Sequence, residues 1–373
     1  MSIIGTALQL ILLVFIVVLL YEFLTKFGGT DTSFSLGNFN LTNFSITNLE
    51  RIFTAFNISQ PLNYTPFSPP QNFVPQNQVI AYALSLINND RNTFGLPNVT
   101  YSNETSGQQH SDSMLQYDYF SHWDPFGLKP YMRYALLNGT QEVDENIAYT
   151  YDSRGINVLD TLKQMENNFM YNDSVCCNNG HRINILTPQH NEVSIGIAYN
   201  RTTVYFTEDF INDYINWVQG TPNYNAGTVN LKGAALTGYH LSSVQVTYDQ
   251  PVMNMTHNQL SNTSSYGYGQ TVAGIGYSQG SQIYYFPNVT TINATVYNIQ
   301  GSNFDVSFNM GKLENNLGAG EYTVMIYLSN STGSAQDYCY TDSQGIARCN
   351  NFLASTYTMF INGSGQQYTP QNI

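Results

Sequence analysis

Charge is scarce in this chain. Asp, Glu, Lys and Arg make up 10% of its 373 residues, where a globular protein ordinarily devotes about a quarter to them. Only 12 residues are Lys or Arg, and they are scattered. That is too few to track a phosphate backbone, so nucleic acid is excluded as a partner. The net charge is −13. Asn, Ser, Thr, Tyr and Gln carry the solubility, a surface compatible with acidic surroundings. Cysteine is scarce too, with four residues and no CxxC spacing, which removes zinc knuckles and dithiol redox motifs. Cys339 and Cys349 flank a turn-like stretch at 342–345 and are placed to staple a hairpin. Cys176 and Cys177 are adjacent, open to a vicinal disulfide, to two thiols or to pairing elsewhere. There is no P-loop, HExxH or dinucleotide fingerprint, so ATPase and dehydrogenase readings lack support. Ser111 and Ser121 adjoin histidines, but adjacency along a chain is not a triad.

What the sequence does have begins with a hydrocarbon run. Residues 3–20 are almost unbroken apolar, and the run continues to Leu24. That length spans a bilayer core as a helix. No basic n-region precedes it and no small-x-small site follows it, so 1–25 reads as an uncleaved transmembrane signal anchor. Residues 26–77 read as a stalk, rich in Asn, Ser, Thr and Phe with Pro61, Pro66, Pro69, Pro70 and Pro75. Proline clusters exclude regular structure and stiffen a spacer. Fifteen Asn-x-Ser/Thr sequons run from Asn40 to Asn362. Their spread favours an exported chain that carries N-glycans, hence a single-pass protein of the cell membrane with an extracellular ectodomain.

From Gln78 the pattern turns helical, with Val79, Ala83, Leu86 and Ile87 on one face. Further helices are expected over 105–119, where His110, Met114 and Tyr117 share a face, and over 155–171. Strands follow at 193–199 and 202–210, which makes 78–218 an α+β layered domain. Beyond Gly220 the helical period disappears. Short Val-, Tyr-, Thr- and Ile-rich runs at 227–231, 242–248, 282–286, 290–297, 304–308, 321–328 and 356–361 alternate with turn residues. They predict an all-β, Ig-like sandwich over 221–373.

Three strings carry a family resemblance. The first is Gln109-His110-Ser111 with Met114 and then Tyr119-Phe120-Ser121-His122; the second is Glu145-Asn146-Ile147-Ala148-Tyr149; the third is Gly180-His181-Arg182-Ile183-Asn184-Ile185-Leu186. Ile195-Gly196-Ile197-Ala198 and 205–210 follow, and a helix with Asn88 and Arg91 precedes. Their order and spacing resemble the prokaryotic branch of the CAP family (cysteine-rich secretory proteins, antigen 5 and pathogenesis-related proteins). The resemblance covers about 135 residues. It implies a CAP-type α-β-α sandwich with a cleft holding His110, Glu145 and His181. The fourth place of the cleft falls on Glu166 or Asn168, and the helical phase favours Asn168. His122 reads as part of a loop cover packed by Trp123, and Arg182 as a helix cap or a carboxylate partner.

Two imidazoles and a carboxylate converging from separate elements can hold a divalent ion such as zinc, with His110 and His181 as ligands, or act as acid and base on a bound water. Three functions are open. The first is a cell-surface binding module for a lipid, glycan or protein. The second is a metal-dependent extracellular hydrolase, peptidase-like, using His110, His181 and Glu145. The third is a structural envelope component, since the Tyr/Asn/Thr-rich composition resembles that of archaeal surface proteins.

Overall fold

The computed structural model describes residues 74–263, 265–276, 289–330 and 339–370. The anchor at 1–25, nearly all of the stalk and the strand expected at 282–286 lie outside the described residues. Among the described residues no helix is long and apolar enough to cross a membrane. The chain divides at Ser68/Pro69, and everything below belongs to the unit Pro69–Ile373.

The first half is built on a four-stranded sheet ordered β1-β3-β4-β2, with β1 Thr100–Tyr101, β2 Glu142–Tyr151, β3 Glu192–Tyr199 and β4 Thr203–Asn212. Its helices are α1 Gln76–Thr93, α2 Ser106–Tyr117, α3 Pro130–Leu136, α4 Val158–Tyr171, α5 Ser174–Cys177 and α6 Gly180–Leu186. One sheet face packs Ile195, Ile197, Phe206 and Phe210 against Val79, Ala83 and Ile87 of α1, Leu162 and Phe169 of α4 and Ile185 of α6. The other face receives α2, where Met114 meets Ile147 and Tyr205. Helices thus cover both faces, as a CAP-type layer requires.

Arg91 pins the first layer. It is fully buried, and its guanidinium donates to the carbonyls of Pro97, Ile185, Thr187 and His190. Satisfying four carbonyls from loops far apart in sequence compensates the cost of burying a cation. Asn88 ties the same helix to the backbone of Val99 from both its amide nitrogen and its oxygen.

The second half is β-rich. Its strands are β5 Ile215–Trp217, β6 Asn223–Asn225, β7 Thr228–Ala235, β8 His240–Asp249, β9 Gln270–Gly276, β10 Thr290–Asn293, β11 Val296–Gln300, β12 Asn303–Asn309, β13 Gly320–Ser329, β14 Cys339–Thr341, β15 Ala347–Cys349 and β16 Asn351–Ile361. Two short helices join them, α7 His257–Ser261 and α8 Gly311–Leu317. One sheet runs β10-β9-β8-β13-β16. The other runs β11-β12-β7-β5, with β6 joined to β7. Val229, Leu231, Val306 and Phe308 of one sheet meet Val246, Tyr322, Val324 and Ile326 of the other in one core. Apolar residues at every second position of β7 and β12 face this core, which is why the period was readable, while β13 is buried on both faces. Cys339 and Cys349 are bonded across the β14–β15 hairpin, as expected, and Cys176 is bonded to Cys177.

The halves are one compact unit. Lys129 Nζ donates to Asp249 Oδ1 at 2.6 Å and to the Gly267 carbonyl, and Tyr131 donates to Asp249 Oδ2 at 2.6 Å. Asn212 Nδ2 donates to the Leu353 carbonyl, and Ser355 Oγ donates to that of Thr140. The change of texture near residue 220 therefore marks a change of architecture within one body.

Candidate functional site

Helix α2 is laid on β3 by a backbone contact. A Cβ on Gly196 would lie 1.9 Å from the Gly107 carbonyl oxygen, so only glycine permits this approach. Ser106 Oγ donates to Asp209 Oδ2 at 2.6 Å, and Ser111 pairs with Thr207 at 2.8 Å, which fixes rotation and height. One turn after Ser106, His110 is held over the sheet. Strand β2 turns Glu145 to the same face, opposite Asp209 in register.

Four side chains meet there. Glu145 Oε1 accepts from His122 Nδ1 at 2.8 Å and lies 3.8 Å from His110 Nε2. Its Oε2 accepts from Arg133 Nη2 of α3. Arg133 also donates to the carbonyls of His122 and Leu128. His110 Nε2 is 2.9 Å from the Ser121 carbonyl, and its Nδ1 is 3.4 Å from the Tyr119 hydroxyl. Burial alone would raise the Glu145 pKa, but the Arg133 charge, with His110 and His122, holds it down to about 2. Burial, aided by Arg133, lowers His110 to about 3, so it is a neutral imidazole over most of the pH range. The cluster is an ionised carboxylate with its charge already balanced.

It is also sealed. His110 is 1% exposed and Glu145 2%. The cover is the β8–β9 connection, around 252–268, from the β-rich half. The Glu145 backbone N–H donates to the Tyr266 hydroxyl at 2.7 Å, and the Tyr266 ring lies 5.0 Å from that of His122. Ser121 Oγ donates to the Thr263 carbonyl, and Trp123 Nε1 to that of Ser265. Leu260 is buried with Met114, Ile147 and Tyr205.

His181 is not part of this cluster. Asn146, next to Glu145, points to the opposite sheet face, where its Nδ2 donates to the His181 carbonyl at 3.1 Å. The His181 ring stacks on Phe169 at 4.5 Å, and its Nδ1 pairs with Asp173 Oδ1 at 2.6 Å. The structure brings His110 and Glu145 together and sets His181 on the other side of the sheet, so His110 and His181 do not fit one shared ion. Neither candidate for the fourth place joins His110 and Glu145. Asn168 faces solvent, while Glu166 is buried beside Glu208. Glu208 shares its face with Asn146, opposite Glu145, so Glu166 lies on the His181 side. Arg182 caps α4 through the Met170 carbonyl and lies over the Phe94 ring, within the expectation. Sequence reasoning missed Arg133 and treated His122 as cover. Arg133 sits in a seven-residue helix with no motif around it, whereas the position of His122 in the first string was a usable signal.

Residues 84–230 match the family model described as "CAP: Cysteine-rich secretory protein family". Three solved structures are similar over part of the chain. An extracellular protein containing a SCP domain from Bacillus anthracis is 25% identical with a TM-score of 0.28, over 37% of this chain and 41% of that one. The chain therefore spans less than half the length of that protein. An outer surface protein from Borrelia burgdorferi is 12% identical with a TM-score of 0.30, over 37% of this chain and 96% of that one. The CAP domain of Enterococcal PrgA is 13% identical with a TM-score of 0.27, over 50% and 86%. None of the curated proteins matches the chain. The family-model match covers 147 of the chain's 373 residues, under half of it.

Proposed function

We propose that the protein is a membrane-anchored, N-glycosylated surface binding module whose ligand meets its outer surface rather than the His110–Glu145 cluster. The observation that carries this reading is the seal: both residues are almost fully buried, and both Glu145 oxygens are engaged, by His122 and Arg133. Such a cluster serves as a clamp that holds α2, α3 and β2 together beneath the connection from the β-rich half. The sequons support the exported, glycan-coated part. Of the ten whose asparagine is described, nine are exposed, and the tenth, Asn362, is half-buried. An exposed set of rings at Tyr117, Phe120, Tyr149 and Tyr151 on the α2 and β2 side supports an external contact face. Exposed aromatics of this kind mark interaction sites more often than isolated surface leucines do.

The test is binding of the detergent-solubilised full chain to a glycan array and to lipid vesicles. Tyr149→Ala/Tyr151→Ala should lower binding at least about tenfold, the loss expected when one or two ring contacts worth about 1.4 kcal/mol are removed. His110→Gln should leave binding unchanged. Loss of binding in His110→Gln with the fold intact, and none in the tyrosine variant, would place the ligand in the cluster and refute the reading.

A further inference from the structure

A second group of donors lies apart from the sealed cluster, where α4 hands over to α6. Asp173, Cys176, Cys177 and His181 each place one oxygen, sulfur or nitrogen atom so that the four atoms lie within 4.8 Å of one another. The sequence builds the group within nine residues, as Asp-x-x-Cys-Cys-x-x-x-His. Helix α5 carries the cysteines. Asn178 and Asn179 then take consecutive left-handed conformations, at φ 50° and 63°, which asparagine tolerates better than other side chains with a Cβ. They bring His181 back beside Asp173.

The carboxylate and the imidazole are held by the scaffold. Asp173 is 2% exposed. Its Oδ2 accepts the backbone N–H of His181 at 2.9 Å and of Arg182 at 3.3 Å, and its Oδ1 lies 3.5 Å from Cys176 Sγ as well as accepting from His181 Nδ1. The Phe169 ring fixes the His181 plane. Arg182, the nearest cation in sequence, points away to the Met170 carbonyl and the Phe94 ring. An ion here would meet no competing guanidinium among these contacts.

We propose that this is a redox-gated site for zinc or a similar borderline divalent cation. With the two sulfurs bonded to each other, no thiolate is offered. A dithiol opens the site by exchange. Its thiolate attacks one sulfur and its second thiol resolves the mixed disulfide, so the reductant leaves as a disulfide and two electrons and two protons pass to Cys176 and Cys177. The cation then displaces both thiol protons and binds two sulfurs, the His181 nitrogen and an Asp173 oxygen. Tetrahedral bonds of about 2.0–2.3 Å set such donors roughly 3.3–3.8 Å apart, so the two sulfurs, bonded to each other here, must part once reduced, while all four donor atoms already lie within 4.8 Å of one another. Thiolate and imidazole select zinc over magnesium or calcium. Oxidising surroundings hold the disulfide and the site closed.

The test is a cobalt(II) titration of the full chain in detergent, before and after reduction by a phosphine. The expected result is one equivalent of bound cobalt with thiolate-to-metal absorption, seen only after reduction and displaced by zinc. Cys176→Ser/Cys177→Ser should abolish the band with the circular dichroism unchanged, and His181→Ala should weaken binding at least about tenfold. Should His181→Ala fail to fold, Asp173→Asn tests the same ligand set. Reduced Cys339 and Cys349 remain in the double serine variant, so a band that persists there belongs to them and overturns the proposal. A wild-type chain whose thiols count as fully reduced but which shows no band overturns it too.

Discussion

At Glu145 one buried carboxylate balances Arg133 and holds His122, and both of its oxygens are engaged by protein donors. Glu145→Gln keeps the shape and removes the charge. The Arg133 guanidinium is then left buried without its counter-ion, and losing one partner of a buried pair costs about 3–5 kcal/mol. Chemical denaturation should show that loss, and Glu145→Gln/Arg133→Met should recover part of it because no orphan charge remains. A variant as stable as the parent would mean that Glu145 is not a clamp. His110 and Glu145 were legible in the sequence because each lies in a short string of characteristic order. Arg133 was not, since a lone arginine on a seven-residue helix looks like any surface arginine until its partner is known. Asp173 was equally hidden. Its role depends on two left-handed asparagines, and such a reversal leaves no periodic trace.

The elements that were legible are those with a clean period. The stripes Val79–Ala83–Ile87 and Leu162–Met165–Phe169 mark α1 and α4, and apolar residues at every second position mark β7 (Val229, Leu231), β8 (Val244, Val246, Tyr248), β12 (Phe304, Val306, Phe308) and β13 (Tyr322, Val324, Ile326, Leu328). Strand β2 escaped, because it buries Glu142, Glu145 and Asn146 among its apolar residues and so breaks the alternation. Least visible was the connection around 252–268, a turn-like stretch whose value lies in what it covers. Leu260→Ala should cost about 2–5 kcal/mol as a buried large-to-small change, and hydrogen exchange at the Glu145 amide should quicken. Tyr266→Phe removes the acceptor of that amide and should cost about 1–3 kcal/mol. If exchange at Glu145 stays as slow in both variants as in the parent, the connection is not the cover.

On the scale of the whole molecule, several carboxyl oxygens among the described residues are buried without donors. Glu166 on both oxygens, Glu208 on Oε1, Asp209 on Oδ1 and Glu321 on Oε2 find no donor among the described residues. A proton on the acid supplies the missing hydrogen. Burial raises Asp209 to about 8 and Glu321 to about 7, and raises both members of the Glu166–Glu208 pair. Raised folded values mean that this stability is fully present below the unfolded carboxyl range, near pH 4, and is gone once pH passes 7 to 8. Each acid kept neutral to about pH 7 is worth on the order of 3 kcal/mol over that window. His110 and His190, lowered by burial to about 3, work the other way and lose stability as pH falls from about 6.5. The acids outnumber the imidazoles, so thermal stability should peak in mild acid, near pH 4 to 5, and decline toward pH 8. Glu208→Gln should flatten the decline. A melting temperature that rises from pH 5 to pH 8 would contradict this. The sparse surface charge had hinted at acid, but which carboxyls are buried could not be seen without the fold.

The cover also has a timetable. Everything that lines the Glu145 pocket from the first half has been made by residue 212, whereas Tyr266 follows more than fifty residues later. At about 5–20 residues per second, the first half waits roughly ten seconds or less for its roof. Meanwhile Met114, Ile147 and Tyr205 stand open to other chains. Any stop codon or proteolytic cut between 212 and 266 would make that interval permanent, yielding a sticky fragment rather than a smaller working protein.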